Sequence, residues 1–583
     1  MFYFFLLLKL VLFVQSTQLI NITPYPYPTV QGNLKDRFYR VAILGTNDLH
    51  GFAFPSKITY KDQTFEKGGM EYLTSYVSIL KKQWGDRFLW LDAGDEFQGG
   101  YESKLTKGSI MTDIFNKAGL DGATLGNHQF DYGQDYARNF LNNSKFPYID
   151  ANIYNTTTDT NTIFTNQKPY AVYKLGKVNI GVIGLTTITT FKTSKGDLSS
   201  LEFKDYKDIV MKYADLLRKE EHADAVILLA HIGLICDNEK DIKNYLDLNM
   251  WTIKNANNIC QGSEEMYQLL NELPKGTVDA VIAGHTHTIN HYFVNGVPVI
   301  ASINNAAYTN VLYLSFDKKT KKLIPEASMI EGPIPVCEKV FSNTGRCDNT
   351  VNNDEDMGEL DNFVFHGVKV EKNEEVSKLL QPLHEEINSL STTEAFTVPA
   401  ESKKNLKEEN FIGNLAADFL KEKTKSDFAI LNSGTFRTTW HPGKVSLKKF
   451  YDMFPFDNTI VSFEMTGAEV KKMMETVQPG VRGLYPVSGL QFAFDRAEKK
   501  VTEVKLADGS YLDENKMYKI ATTNFIMPGF GDDFAAIKAW YTPRNVVKYV
   551  DFASNLLDYL KAVKNIPLKV HFDADHPRIK FIN

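Results

Sequence analysis

At 583 residues the chain exceeds what one hydrophobic core organises, so it divides into two or more domains. Its 43% hydrophobic and 23% charged residues exclude collagen-like and disordered classes. A net charge of −6 excludes a protein that grips nucleic acid through a basic face, so any polyanionic substrate must be drawn in by local charge such as metal ions.

The N-terminus, MFYFFLLLKLVLFVQSTQ, is an apolar stretch interrupted by Lys9, short for a membrane span, with small residues at Ser16 and Thr17. It reads as a signal peptide over residues 1–16; an uncleaved anchor is the alternative. No second long apolar run follows, and the terminal HPRIKFIN lacks the tail of a lipid-anchor signal. A secreted, extracellular or lumenal protein without a transmembrane or GPI anchor is the expectation. Four cysteines fit an oxidising compartment, and Cys236–Cys260 with Cys337–Cys347 is the simplest of the three connectivities. Glycosylation sequons begin at Asn21, Asn142 and Asn155.

From about Arg40 to Ile300, short apolar runs alternate with amphipathic stretches. RVAILG, RFLWLDAG, VNIGVIGL, DAVILLA and VDAVIAG read as buried strands. Between them MEYLTSYVSILKKQW reads as a helix with Tyr72, Tyr76, Ile79 and Leu80 on one face. The alternation predicts α/β layers around a substantially parallel sheet. Residues 337–371 are polar and acidic and read as an exposed connection. VSKLLQPLHEEINSL then predicts a helix that Pro382 kinks or starts. A second α/β region opens near Thr397, with a helix at FIGNLAADFLKEK and strands at FAILNSG, IVSFEMTG, LQFAFD and YKIATTN.

Five of the apolar runs end in polar residues of one chemical kind. TNDLHG supplies Asp48 and His50, DAGDEFQG supplies Asp92 and Asp95, and GNHQFDYG supplies Asn127, His128 and Asp131; His231 follows VILLA, and His285 and His287 follow VDAVIAG. Ligands of open α/β sheets bind beyond the carboxyl ends of strands, so these loops should converge on one edge. Each block alone has a structural explanation, since Asp beside Gly is an ordinary turn. Together they form a mixed Asp/His/Asn set suited to zinc, manganese or iron. Two metals roughly 3.5–4 Å apart need a bridging ligand, and a DAGD carboxylate is the natural choice.

These five blocks resemble those of calcineurin-like metallophosphoesterases, specifically the 5′-nucleotidase family. The resemblance implies an N-terminal four-layer α/β/β/α sandwich at residues 36–335, a connecting loop and linker helix at 336–396, and a C-terminal α/β nucleoside-binding domain at 397–573. It implies two divalent metal ions, zinc foremost with manganese as an alternative. One would take Asp48, His50, Asp95 and His287; the other Asp95, Asn127, His231 and His285, with Asp95 bridging. His128 and Asp131 match the catalytic dyad, His128 contacting the transferring phosphoryl group, and Asp92 matches a supporting position.

In the second domain LNSGTFR resembles the family's Asn-containing block ending in Arg, which implies Asn432 at the base and Arg437 at the phosphate or a similar charge. Phe456 of FPFDN and Phe525 of NFIMPGFGDDF match the pair that sandwiches the base. Asp532 matches the ribose-binding aspartate, with Asp533 the alternative after a one-residue offset. Leu406, flanked by Lys403, Lys404 and Lys407, stands where the family often has an arginine, and lysine cannot supply a bidentate fork. The substrate expected is a small-molecule nucleotide, hydrolysed to nucleoside and phosphate. Nucleotide sugars, cyclic nucleotides and nucleoside di- and triphosphates are alternatives, and a silent nucleotide-binding protein is disfavoured by the intact ligand set. Productive binding would require closure about the linker near residues 372–395.

Overall fold

The structure is a computed structural model. It describes residues 19–22, 38–60, 63–99, 101–161, 164–194, 198–236, 250–251, 258–347, 357–399, 401, 409–456, 458–478, 484–527, 537, 540–563 and 577–582. The signal segment 1–16, Asp532, Asp533, Leu406 and its flanking lysines lie outside the described residues.

The predicted apolar runs become strands of two sheets. Among the described residues one sheet has eight strands, with Phe38–Thr46 beside Phe88–Asp92, then Gly122–Ala123, Tyr148–Ile149 and Gln167–Lys168, all parallel. The other has six, built around parallel Val178–Thr186, Ala225–His231, Ala280–Ala283 and Val297–Ser302. Both sheets carry antiparallel strands as well, such as Tyr308–Asp317 against Phe38–Thr46. Strands covered on both faces carry continuous apolar runs, which is why VAIL and VILLA show no alternation.

The cores follow from this. Val41, Ile43, Leu89 and Leu91 of one sheet pack face to face with Val182, Ile227, Leu229 and Ile282 of the other. On the outer face of the first sheet, Leu44 and Trp90 meet Leu73, Tyr76, Leu80, Ile114 and Phe115 from the helices Met70–Trp84 and Ser109–Ala118. On the outer face of the second, Leu228 and Val281 meet Val210, Leu217, Leu269 and Leu270 from Lys207–Lys219 and Glu265–Glu272. The result is the four-layer α/β/β/α sandwich.

Two expectations change. The connection over 337–371 is not simply exposed: Phe341, Met357, Phe363, Phe365 and Val370 are buried in the first core, and Cys337 is bonded to Cys347 beneath them. Isolated large apolar residues within a polar run give no periodicity, so their anchoring role is invisible to pattern reading. Of the two readings of Pro382 only the helix start is excluded: the helix runs Glu374–Thr392 with the proline inside. The helix is instead started by Asn373, whose side chain accepts from Glu375 N and Val376 N. It packs on the helices of the first domain and on Leu447–Met453 of the second.

In the second domain a five-stranded sheet is ordered Val487–Ser488, Phe428–Ile430, Met517–Thr523, Thr459–Thr466, Arg544–Asp551. Phe411–Thr424 and Phe552–Val563 cover one face, Gly467–Val477 the other. The domains meet where Tyr101 stacks on Tyr451, ring centroids 5.0 Å apart. Cys236 pairs with Cys260 as expected. No helix among the described residues is long and apolar enough to cross a membrane.

Candidate metal centre

The polar loops leave the carboxyl ends of the parallel strands of both sheets, and two of them are laced together. Asp48 N donates to Gly94 O (2.9 Å), His50 N to Asp95 O (3.0 Å) and Gly51 N to Glu96 O (2.7 Å). Asp48, His50, Asp95, His285 and His287 all take positive φ, between 49° and 79°. A left-handed backbone costs a residue with a side chain about 1–2 kcal/mol, and all five are Asp or His, types that enter it more readily than most. The space is tight as well: a Cβ on Gly284 would lie 3.0 Å from Asp48 Oδ2 and 3.1 Å from His231 Nδ1.

Asp95 is fully buried at the centre. Its Oδ1 accepts from His128 N (2.9 Å), and its Oδ2 lies 3.1 Å from His231 Nε2 and 4.0 Å from His128 Nε2. Asp48 Oδ1 lies 3.2 Å from His287 Nε2 and 3.7 Å from His50 Nε2. Asn127 Oδ1 lies 3.2 Å from His231 Nε2 and 3.0 Å from His285 Nδ1. Burial alone would push Asp95 up, but His231 and His128 beside it hold its carboxyl well below the ordinary range. Burial pulls His50 and His285 down to about 4, so both are neutral and free to act as ligands.

The donor set fits divalent cations. His231 Nδ1 is 2.8 Å from Ala93 O and His50 Nδ1 is 3.1 Å from Phe97 O. A carbonyl only accepts, so both Nδ1 atoms carry the proton and both Nε2 atoms present lone pairs. His231 Nε2 then faces Asp95 Oδ2 and Asn127 Oδ1; His50 Nε2 faces His287 Nε2, 2.8 Å away, and Asp48 Oδ1. Acceptors converge at two places, and each needs a proton or a cation between them. At the first a proton can stand in: burial opposes charge on His231, yet Asp95 raises it to about 9. Such exchange of proton for metal is normal for a ligand set of this kind.

His128 is partly open, its side chain 24% exposed, while Asp131 is buried behind it and accepts from His128 Nδ1 at 2.7 Å. Asp131 Oδ1 in turn accepts from Ser194 Oγ (3.3 Å). Asp92 stands apart from the cluster. Its oxygens accept from Thr46 Oγ1 (2.6 Å) and Gly94 N (2.9 Å), so it braces the turn, and burial pushes it up to about 7.

A family model described as calcineurin-like phosphoesterase matches residues 41–288, the span that carries every one of these loops. A second, the 5′-nucleotidase C-terminal domain, matches residues 389–539. The chain belongs to the 5′-nucleotidase family. Family members align along nearly the whole length: a 5′-nucleotidase-related protein of Glossina morsitans morsitans is 23% identical over 90% of this chain and 92% of its own. A 5′-nucleotidase of Vibrio cholerae is 25% identical over 92% of each. The solved 5′-nucleotidase precursor of Thermus thermophilus shares the two-domain fold, with a TM-score of 0.67, 21% identity, and coverage of 94% of this chain and 100% of that one. As a member of this family the chain is a metal-dependent phosphoester hydrolase.

The C-terminal 5′-nucleotidase domain carries the remaining predicted residues. Arg437 lies over the Phe456 ring, 5.5 Å from its centroid, and its backbone N donates to Met453 O (3.1 Å). Phe525 is partly buried and packs against the core that includes Ile526 and Tyr541. Asn432 is buried, and its Oδ1 accepts from Thr435 Oγ1 (2.8 Å), so the side chain shapes its own turn. Three residues near the metal centre escaped sequence reasoning. Gln129 Oε1 accepts from Gly126 N (2.8 Å) and Asp95 N (3.3 Å), clamping two ligand loops together. Ser194 supports Asp131, and the Asn304 amide lies 3.1 Å from His287 Nδ1. Gln129 sits inside the GNHQFDYG block; Ser194 and Asn304 carry no signal beyond an ordinary polar residue.

Proposed function

We propose that this nucleotidase-family member hydrolyses nucleoside phosphates at a dinuclear centre, releasing nucleoside and inorganic phosphate. The reading is carried by one buried carboxylate, Asp95, which clusters with Asp48 and His231 on one side and with His50 and His128 on the other. Asp48, His50, Asp95 and His287 would hold one divalent ion; Asp95, Asn127, His231 and His285 the other, with zinc favoured and manganese the alternative. Bound there, the ions would lower the pKa of water towards neutrality and offset phosphoryl charge. His128, fixed through Nδ1 by Asp131, directs Nε2 towards the side of Asp95 that faces the cluster, where it would donate to a phosphoryl oxygen.

Arg437 with Phe456 supports a site for an anionic group beside an aromatic face, and Phe525 would supply the second ring. Asp532 remains the proposed ribose contact. Domain limits of 36–335, 336–396 and 397–573 are part of the proposal, supported by the helix Glu374–Thr392 that lies between the two sheet systems. Secretion through segment 1–16 is supported by the two disulfides and by the exposure of the Asn142 sequon at a helix end. The test is phosphate release from a nucleotide panel by metal-depleted protein given back zinc, manganese, calcium or magnesium. Nucleoside 5′-monophosphates should be cleaved best, with zinc or manganese restoring activity. No phosphate from any nucleotide with any metal would refute the proposal.

A further inference from the structure

The histidines of the proposed centre are not held alike. His50 and His231 are oriented by main-chain carbonyls, Phe97 O and Ala93 O. His287 is the most open of the set, its side chain 39% exposed, and its Nδ1 faces a side chain, the Asn304 amide, with Nδ2 at 3.1 Å. An amide exchanges its nitrogen and oxygen by a half-turn. When Nε2 serves as the ligand atom, Nδ1 bears the proton and Asn304 Oδ1 accepts it.

The segment that presents Asn304 is strained. Ile303, Asn305 and Ala306 take φ of 52°, 59° and 52°, and a β-branched residue in the left-handed region is an outlier. The strain is imposed from the first ligand loop. Asn47 Oδ1 accepts from Ser302 N (2.6 Å), Asn47 Nδ2 donates to Ile303 O (3.1 Å), and Asp48 O accepts from Asn305 N (2.9 Å). Asn47 Nδ2 also donates to Asp48 Oδ2 (2.6 Å). One short network therefore fixes the Asp48 carboxylate and the segment that reaches His287. Strain of this kind persists where the surroundings over-determine a conformation, and it gathers at functional sites.

We infer that Asn304 is a positioning residue for His287, so that removing its amide loosens the metal position of Asp48, His50 and His287 and not that of Asn127, His231 and His285. The inference rests on the metal centre proposed above. It is tested on the full secreted chain by counting bound zinc after dialysis, by titrating metal-free protein with cobalt(II) while following its visible absorption, and by melting the metal-free protein. Wild type should take two equivalents. Asn304→Ala should lose affinity for one of them by about 10–100-fold, with the cobalt spectrum altered and the metal-free melt unchanged. Asn304→Asp, whose carboxylate accepts from the same Nδ1–H, should restore the second equivalent. Asn304→Ala binding both metals as wild type does, or Asn304→Asp failing as Asn304→Ala does, would overturn the inference while leaving the centre standing. Wild type binding fewer than two metals would overturn both.

Discussion

The tightest contact at the centre gives the sharpest prediction, Gly126→Ala. Gly126 is extended, with φ −95° and ψ 178°, so alanine meets no conformational barrier and only space matters. A Cβ there would lie 2.6 Å from Asp95 N and 2.7 Å from Asp95 Cγ, and closer still to Asp95 Oδ1. Ordinary contacts begin at about 3.5 Å, so the loops must separate by roughly 1 Å. Asp95 cannot yield freely: its Oδ1 accepts from His128 N, its N donates to Gln129 Oε1, and its O accepts from His50 N. A misplacement of about 1 Å at reacting groups costs about 10²-fold, or ~2.7 kcal/mol of barrier, and overpacking adds about 1–3 kcal/mol of instability. The assay is kcat/KM for a nucleoside monophosphate at saturating zinc, with metal content and urea unfolding on the same preparation. A variant with wild-type activity and both metals bound would refute the reasoning.

Three further outcomes are expected. His128→Ala should lower kcat by about 10²–10⁴-fold while retaining metal, measured by phosphate release and zinc content. Phe456→Ala and Phe525→Ala should each weaken nucleotide binding by about 1–3 kcal/mol, read as KM, yet leave KM for a phosphate ester without a base unchanged. Asp150, buried against Thr124 and Thr186, is pushed up to about 7, burial being the main cause. A carboxyl raised in the folded state contributes stability that is present below the unfolded pKa and lost as pH rises through about 7. Asp150→Asn should therefore melt above wild type at pH 8, with the difference vanishing below about pH 4.

The metal loops were legible because folding has no use for Asp, His and Asn at successive strand ends, and buried strands announce themselves as short apolar runs. Asp92 lies outside the ligand cluster, its oxygens taken by Thr46 and Gly94. Residues acting through others were not legible. Asn304 lies far from the GHTH block in pattern and meets His287 only because Val297–Ser302 returns beside Ala280–Ala283. Ser194 is similarly ordinary in sequence, and Gln129, though inside the GNHQFDYG block, shows its clamping role only in three dimensions. The second domain is less legible for a different reason. Phe456 and Phe525 look in sequence like any core aromatic, and Asn432 satisfies a local turn.

The proposed function requires two metals bridged by Asp95. Anomalous scattering at the zinc edge from a crystal of the zinc-loaded protein tests it directly. Two peaks about 3.5–4 Å apart are predicted, one against Asp48, His50 and His287, the other against Asn127, His231 and His285, with Asp95 between them. A single peak, or two peaks that do not share Asp95, would contradict it.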